Sequence, residues 1–281
     1  MNDAVKLFGI PVAKVTEDEA VARIIAFAKR QGRCSSDAGT PQSNGRHKPS
    51  TINHQLSPKF VATLNVDFVA NAVRGWPFGG NDELWGYLKT ADLVTADGMP
   101  IVLLSKLMRN PLPERVTGAD LVPEICRRCA EEGLSVYVLG GDREAVEAAF
   151  GRLVTVNGQG ARIAGIDPAF VKLDQDQPEI VDRINAAKPD VLFVALGNPK
   201  QELWMGRNRA KLDVGVMIGV GGTFNFIAGT VKRAPKWMQR CGLEWIYRIL
   251  QEPGRLWRRY AYGLFKFTWL SFCFLMGGFR R

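Results

Sequence analysis

The run Pro189-Asp-Val-Leu-Phe-Val-Ala-Leu-Gly-Asn-Pro-Lys-Gln-Glu-Leu-Trp204 reads as a buried strand, a polar turn and the start of a helix. Residues 191–196 are apolar without alternation, which suits a strand covered on both faces, as a parallel sheet provides. Gly197, Asn198 and Pro199 end it, and Lys200, Gln201 and Glu202 then bring ammonium, amide and carboxylate groups to the strand's carboxyl end. In open α/β sheets that edge is where ligands bind.

The same strand, polar turn and helix recur on either side. Residues 214–219 form a strand entering Gly221-Gly-Thr-Phe-Asn-Phe226, and 161–165 form another. Residues 134–139 make a strand closed by Gly140-Gly141 and a helix over 142–150, a plausible phosphate turn without the full GxGxxG spacing. In Thr95-Ala-Asp-Gly-Met-Pro100, Asp97 follows the strand 91–95, Gly98 permits a sharp turn, and Pro100 suits the first turn of a helix over 99–108. An aspartate so placed is either a helix cap or a group facing the crevice. The number of stretches converging on one sheet edge favours the crevice.

Toward the N-terminus, residues 59–68 form a strand run in which Thr63, Asn65 and Asp67 alternate. They share one face if the strand persists; otherwise Asn65 marks its end. Arg115 lies in a charged loop, 114–120, before a helix over 121–131, and is either an anion ligand or a surface arginine. Residues 4–15 read as strands broken at Gly9-Ile-Pro11. Thr16 with Glu19 makes a capping box for a helix that ends near Arg30 and carries Val21, Ile24, Ile25 and Ala28 on one face. The chain is therefore predicted to be α/β, with a Rossmann-like, mainly parallel sheet flanked by helices.

Residues 31–58 break this order, being rich in Ser, Gly, Pro, Asn and Gln, and read as a flexible insertion. They hold both histidines, His47 and His54, which leaves the core without a histidine base or metal ligand. Five irregularly spaced cysteines suit a reduced compartment, and the Cys126/Cys129 pair falls inside a helix with no second pair. Asp174-Gln-Asp176 precedes a helix and reads as N-terminal helix charge rather than a metal motif. The first eight residues carry Asp3 and Lys6 and lack a long apolar stretch, so no secretory signal is expected.

Charge divides the chain into a core, 1–228, and a basic, aromatic-rich helical appendage, 229–281. The appendage holds eleven of the 37 Lys/Arg and two of the 28 Asp/Glu, so the whole formal charge of +9 resides there. That asks for a polyanionic partner: a membrane surface, a diphosphate or nucleic acid. Residues 260–281 add a dense apolar run interrupted by Lys266, and suit an interfacial helix better than a span.

The blocks TLNVDF (63–68), TADGMP (95–100), ERVTGAD (114–120), VLGG (138–141), PDVLFVALGNPKQELW (189–204), GVGGTFNFIAGTVKRAPKW (219–237) and GLEWIYRILQEPGRLWRR (242–259) resemble, in order, the WecG/TagA/CpsF glycosyltransferases, glycosyltransferase family 26. The resemblance implies an inverting, metal-independent hexosyltransferase with no cofactor. It would move N-acetylmannosamine, its uronic acid or a hexose from a UDP-sugar to a polyprenyl-diphosphate-linked sugar for cell-surface polysaccharide. Its implied place is the cytoplasmic face of the bacterial inner membrane, held peripherally on anionic lipid, with a homo-oligomer possible and no nucleic acid.

Asp97 matches the family's proposed base, and Thr63, Asn65 and Gln201 match its sugar pocket; Glu202 and Arg115 join them as candidate substrate ligands. For the donor diphosphate the candidates are Gly140, Gly141, Arg233, Arg248, Arg255 and Arg258, with Arg259 nearby. The spacing of Arg248, Arg255 and Arg258 allows one helical face. Two other classes stay open on the residues alone. An NAD-dependent nucleotide-sugar epimerase or dehydrogenase shares the alternation but wants an early glycine fingerprint, and a basic nucleic-acid or membrane-binding protein shares the charge.

Overall fold

The structure is a computed structural model describing residues 3–29, 57–157, 160–168 and 171–277. The expected insertion, apart from residues 57 and 58, lies outside them with both histidines. In chain order the elements are β1 (Ala4–Leu7), β2 (Ile10–Ala13), α1 (Glu17–Ala28), β3 (Lys59–Leu64), α2 (Val66–Ala72), α3 (Asp82–Lys89) and β4 (Leu93–Ala96). Then come α4 (Met99–Leu107), α5 (Gly118–Glu132), β5 (Ser135–Gly140), α6 (Arg143–Asn157), β6 (Arg162–Asp167), α7 (Pro178–Ala187) and β7 (Val191–Ala195). The chain finishes with α8 (Lys200–Asn208), β8 (Val216–Gly219), α9 (Thr223–Ala228), α10 (Lys236–Arg240), α11 (Glu244–Gln251) and α12 (Pro253–Leu275).

Six strands form one sheet in the order β4-β3-β8-β7-β5-β6, and every neighbouring pair is parallel. Alternate residues feed two cores, because successive side chains leave a strand on opposite faces. Phe60, Ala62, Leu64, Leu192, Val194 and Met217 enter a cluster with α2, α3, α4, α8 and α12. Val61, Val191, Phe193, Val216 and Ile218 enter the other, with α1, α5, α6 and α9. Both faces are thus covered, as the unbroken apolar runs require.

The capping box forms as read: Thr16 Oγ1 accepts from Glu19 N, and the Glu19 carboxylate accepts from Thr16 N. The strand over 59–68 is shorter than a shared face needs. β3 stops at Leu64, and Asn65 caps α2 by accepting from Asp67 N at 3.0 Å and Phe68 N at 3.3 Å. Asn65 and Asp67 therefore do not extend a strand face with Thr63; the cap competes with the ladder and wins.

The C-terminal helices are present, and α12 belongs to the packing of the core. It lies against α2 and sends Phe267 and Leu270 into the first cluster, beside Phe8. Phe8 stands at the tip of the β1–β2 hairpin, where it and Gly9 take φ of 52° and 82°, the two positive values of a tight hairpin turn. Lys266 does not interrupt an apolar face: it is buried, and its Nζ donates to the carbonyls of Ala70 and Gly79. Ala70 lies in the last turn of α2, where orphan carbonyls favour a cation. Among the described residues no helix is long and apolar enough to cross a membrane.

Removing that ammonium leaves two carbonyls without their donor. Lys266→Ala is expected to lower unfolding stability by about 1–3 kcal/mol in a urea titration. A change within about 0.5 kcal/mol, the range of ordinary surface substitutions, would show that α12 is not held this way.

Candidate active site

A cleft of about 400 Å³ opens beyond the carboxyl ends of β4, β3, β8 and β7. That volume lies in the range of small-molecule sites. Its floor is made by the turns that follow these strands, and its outer wall by α11 and the start of α12.

Asp97 enters from the end of β4, its N–H donating to Leu64 O at 2.8 Å. Gly98 takes φ 126° before α4, a conformation a side chain would strain, and this turns the chain away so that Asp97 faces the cleft. Burial pushes the Asp97 carboxyl up to about 7, the Glu244 and Asp120 charges acting the same way. The Arg115 charge and a hydrogen bond with Asn65 act against them. Asn65 therefore has two functions: its Oδ1 caps α2, and its side chain favours the ionised form of Asp97.

Thr63 and Gln201 are buried in the cleft floor. Gln201 Oε1 accepts from Gly197 N at 3.1 Å and Gly221 N at 3.0 Å, tying the turn after β7 to the turn after β8. Its NH₂ lies toward Gly219 and Glu202, and its hydrogen bond favours the ionised form of Glu202. Gly219 makes room for it, since a Cβ there would stand 2.5 Å from Gln201 Nε2.

Four charged groups form a lattice beside Asp97. Arg115 Nη1 donates to Glu244 at 2.8 Å, and Arg115 Nη2 donates to Gln239 at 3.4 Å and lies 3.6 Å from Asp120. Arg233 grips Asp120 with both terminal nitrogens, at 2.6 and 3.0 Å, and its Nε lies 3.6 Å from Glu244. Burial acts upward on Asp120, yet hydrogen bonds from Arg233 and Thr117 hold it below the usual carboxylate range. Thr117 also caps α5, accepting from Asp120 N. The lattice joins a core loop to the 229–281 region.

The candidate residues do not all meet here. Asp97, Thr63, Asn65, Arg115, Gln201, Arg233 and Arg248 line the cleft, as does Arg259, which bonds Asp67 at 2.6 Å. Arg248 lies over the Phe226 ring, 5.2 Å from its centroid, and pairs with no carboxylate among the described residues. Glu202 is fully buried behind the floor, where it accepts from Asn198 at 2.9 Å and burial pushes it up to about 7. It braces the turn and is not at the surface of the cleft. Gly140 and Gly141 end β5, one strand beyond the cleft; Gly140 sits against Ala195 and Leu196.

Arg258 is exposed, against the Trp257 ring, and is not among the lining residues. The side chain of Arg255 lies outside the described residues. Arg248, Arg255 and Arg258 do not share a helical face, because the helix breaks at Glu252 between α11 and α12.

Sequence reasoning missed Asp120, Glu244 and Gln239. Only Asp120 carried a local signal, as the fourth residue of a Thr-x-x-Asp cap before an apolar run. Asp176, from the Asp-x-Asp motif, pairs with Lys211 at 3.3 Å, and Cys126 and Cys129 are buried in α5. Among the described residues no three His, Cys, Asp or Glu side chains are grouped as a metal ion needs.

The profile of the Glycosyl transferase WecG/TagA/CpsF family matches residues 48–279. The chain is similar to the N-acetylglucosaminyldiphosphoundecaprenol N-acetyl-beta-D-mannosaminyltransferase of Bacillus spizizenii strain W23, at 34% identity over 213 residues, 76% of this chain and 79% of that one. It is also similar to the protein of the same name from Bacillus subtilis strain 168, at 30% identity over 199 residues, 71% and 73% of the two chains.

The raised Asp97 carboxyl has a consequence for folding. The unfolded chain ionises this group near pH 4, whereas the folded protein resists ionisation up to about pH 7. The resulting loss of stability grows through that window and is complete above it. Asp97→Asn, which keeps the shape without the charge, should therefore raise the melting temperature at pH 8, the gain shrinking as pH falls toward 4. An equal or lower melting temperature at pH 8 would contradict the burial argument.

Proposed function

The chain belongs to the WecG/TagA/CpsF family and is a glycosyltransferase; from that premise we propose that it moves a sugar from a UDP-sugar to a polyprenyl-diphosphate-linked sugar, with inversion and without a metal ion. The observation that carries the reading is Asp97, a carboxyl with neutral-range acidity, in a cleft whose walls bear arginines. N-acetylmannosamine is the leading donor sugar, because that is what the named relatives transfer. Its uronic acid and hexoses are the alternatives.

The chemistry is a single displacement. The acceptor hydroxyl oxygen bonds the anomeric carbon from the face opposite UDP, the bond from that carbon to the diphosphate oxygen breaks, and the hydroxyl proton passes to Asp97. A base with acidity near the working pH is efficient, since it is substantially ionised and still basic enough to accept the proton. Thr63 and Asn65 orient sugar hydroxyls without adding charge, and Gln201 braces the floor beneath them. The departing diphosphate is met by guanidinium forks. Arg248, which lines the cleft without a carboxylate partner among the described residues, is the first candidate. Arg233 and Arg115 can join it by exchanging a carboxylate partner for a phosphate.

The basic 229–281 region supports docking on anionic lipid at the cytoplasmic membrane face, where each basic residue near the surface adds about 1 kcal/mol. That position would give the cleft access to a lipid-linked acceptor.

Turnover of a UDP-sugar panel with polyprenyl-diphosphate N-acetylglucosamine, in EDTA, tests the assignment. One donor should react, with kcat/KM rising with pH to a plateau through a midpoint near 7. Asp97→Asn should lose about 10²- to 10⁴-fold in kcat while retaining donor affinity. Loss of turnover in EDTA, restored by a divalent cation, would contradict the metal-free mechanism. A flat pH profile or an active Asp97→Asn would remove Asp97 as the base.

A further inference from the structure

The most exposed large apolar side chain of the described residues, Trp76 at 84%, belongs to the core and not to the basic tail. It projects from a turn that is fastened at both ends. Gly75 and Phe78 pair through their backbones, and the Trp269 indole N–H of α12 donates to the Trp76 carbonyl at 2.7 Å. Gly75 rests on α12 so closely that a Cβ there would overlap Leu270. Just beyond the turn, Lys266 holds the Gly79 carbonyl.

The Phe78 ring stands edge-on to Tyr262 and Phe265, at 6.1 and 5.9 Å, and Trp269 neighbours Phe272 at 6.4 Å. Trp76 is therefore held outward by its surroundings. With Tyr262, Phe265, Trp269 and Phe272, all exposed or nearly so, its turn forms one aromatic surface.

We propose that the 75–78 turn is a membrane-inserting element of the core, which with the outer face of α12 seats the protein on the bilayer interface. The proposal rests on the membrane reading above and deepens it by naming a part of the core that enters the lipid. Indole and phenol side chains, apolar with one polar atom, are the groups that settle at the headgroup boundary. The excess positive charge of 229–281 complements anionic headgroups. The surface is also continuous with the cleft: Tyr260 and Leu264 line the cleft on the same helix that carries Tyr262, Phe265 and Trp269. Insertion of this turn would hold the cleft's rim at the level where a lipid-borne diphosphate lies.

The test uses the full chain and vesicles of phosphatidylglycerol and phosphatidylethanolamine. Trp76→Ser changes an exposed residue, so the fold should survive. Its partition onto vesicles should fall by about tenfold, from the burial of one indole. Turnover of a short-chain, water-soluble acceptor should match wild type, whereas turnover of a long-chain acceptor in vesicles should fall with partition. Phe272→Ser on α12 should weaken partition in the same way.

If Trp76→Ser binds vesicles like wild type, and both are released by salt, the inserting turn is overturned while membrane docking by the basic region stands. If wild type ignores vesicles, the docking reading falls too. If the substitution instead splits an oligomer and leaves partition unchanged, the surface belongs to a second copy and the proposal is wrong.

Discussion

The lattice of Arg115, Asp120, Arg233 and Glu244 is the interaction on which the cleft depends. Arg115 belongs to the loop after α4 and Asp120 to the first turn of α5; Arg233 and Glu244 belong to the region after α9. Their pairing closes one side of the site and ties the start of the basic region to the loop and helix at the sheet edge. Each guanidinium has a carboxylate within reach, which offsets the cost of half-burying four charges. The same four groups set the field at Asp97, with Arg115 favouring the ionised form and both carboxylates opposing it. On the proposed mechanism a diphosphate arriving among these arginines would change that field, coupling donor binding to the acidity of Asp97 through one set of contacts.

Two carboxyls, the half-buried Asp97 and the fully buried Glu202, are both pushed up to about 7 by loss of solvation, yet they do different work. Asp97 faces the cleft and is available to a hydroxyl. Glu202 sits behind it, receiving the Asn198 amide, whose own oxygen receives Asn71 at 2.6 Å. That chain of side chains stiffens the turn from which Gln201 reaches both Gly197 and Gly221. Acidity alone would not separate the two residues; position relative to the cleft does.

Most of the architecture was legible because strands buried on both faces leave long apolar runs, and the turns after them leave Gly, Asn and Asp. The parallel sheet, the Thr16 capping box and the places of Asp97 and the 197–204 turn at strand ends follow from that grammar, while Thr63 and Gln201 were singled out by the family resemblance. What was not legible depended on distance in space. Arg115 and Glu244 are 129 positions apart, and no local pattern announces their contact. Lys266 looked like a break in an apolar helix because only the tertiary structure supplies its two carbonyl partners. Whether Asn65 stayed on a strand face or marked the strand's end was left open by the sequence, because β-type alternation continues past the point where its own side chain captures the backbone. Gly140-Gly141 looked like a phosphate turn by composition, but strand order puts it one position beyond the cleft.

The central claim is that burial within this lattice makes Asp97 a carboxyl that ionises in the neutral range. A carboxyl-carbon NMR titration of the aspartates in the free protein, with Asp97→Asn to assign the signal, tests this directly. The account predicts a midpoint near pH 7 for Asp97. A midpoint near pH 4, the value of an ordinary exposed aspartate, would contradict it.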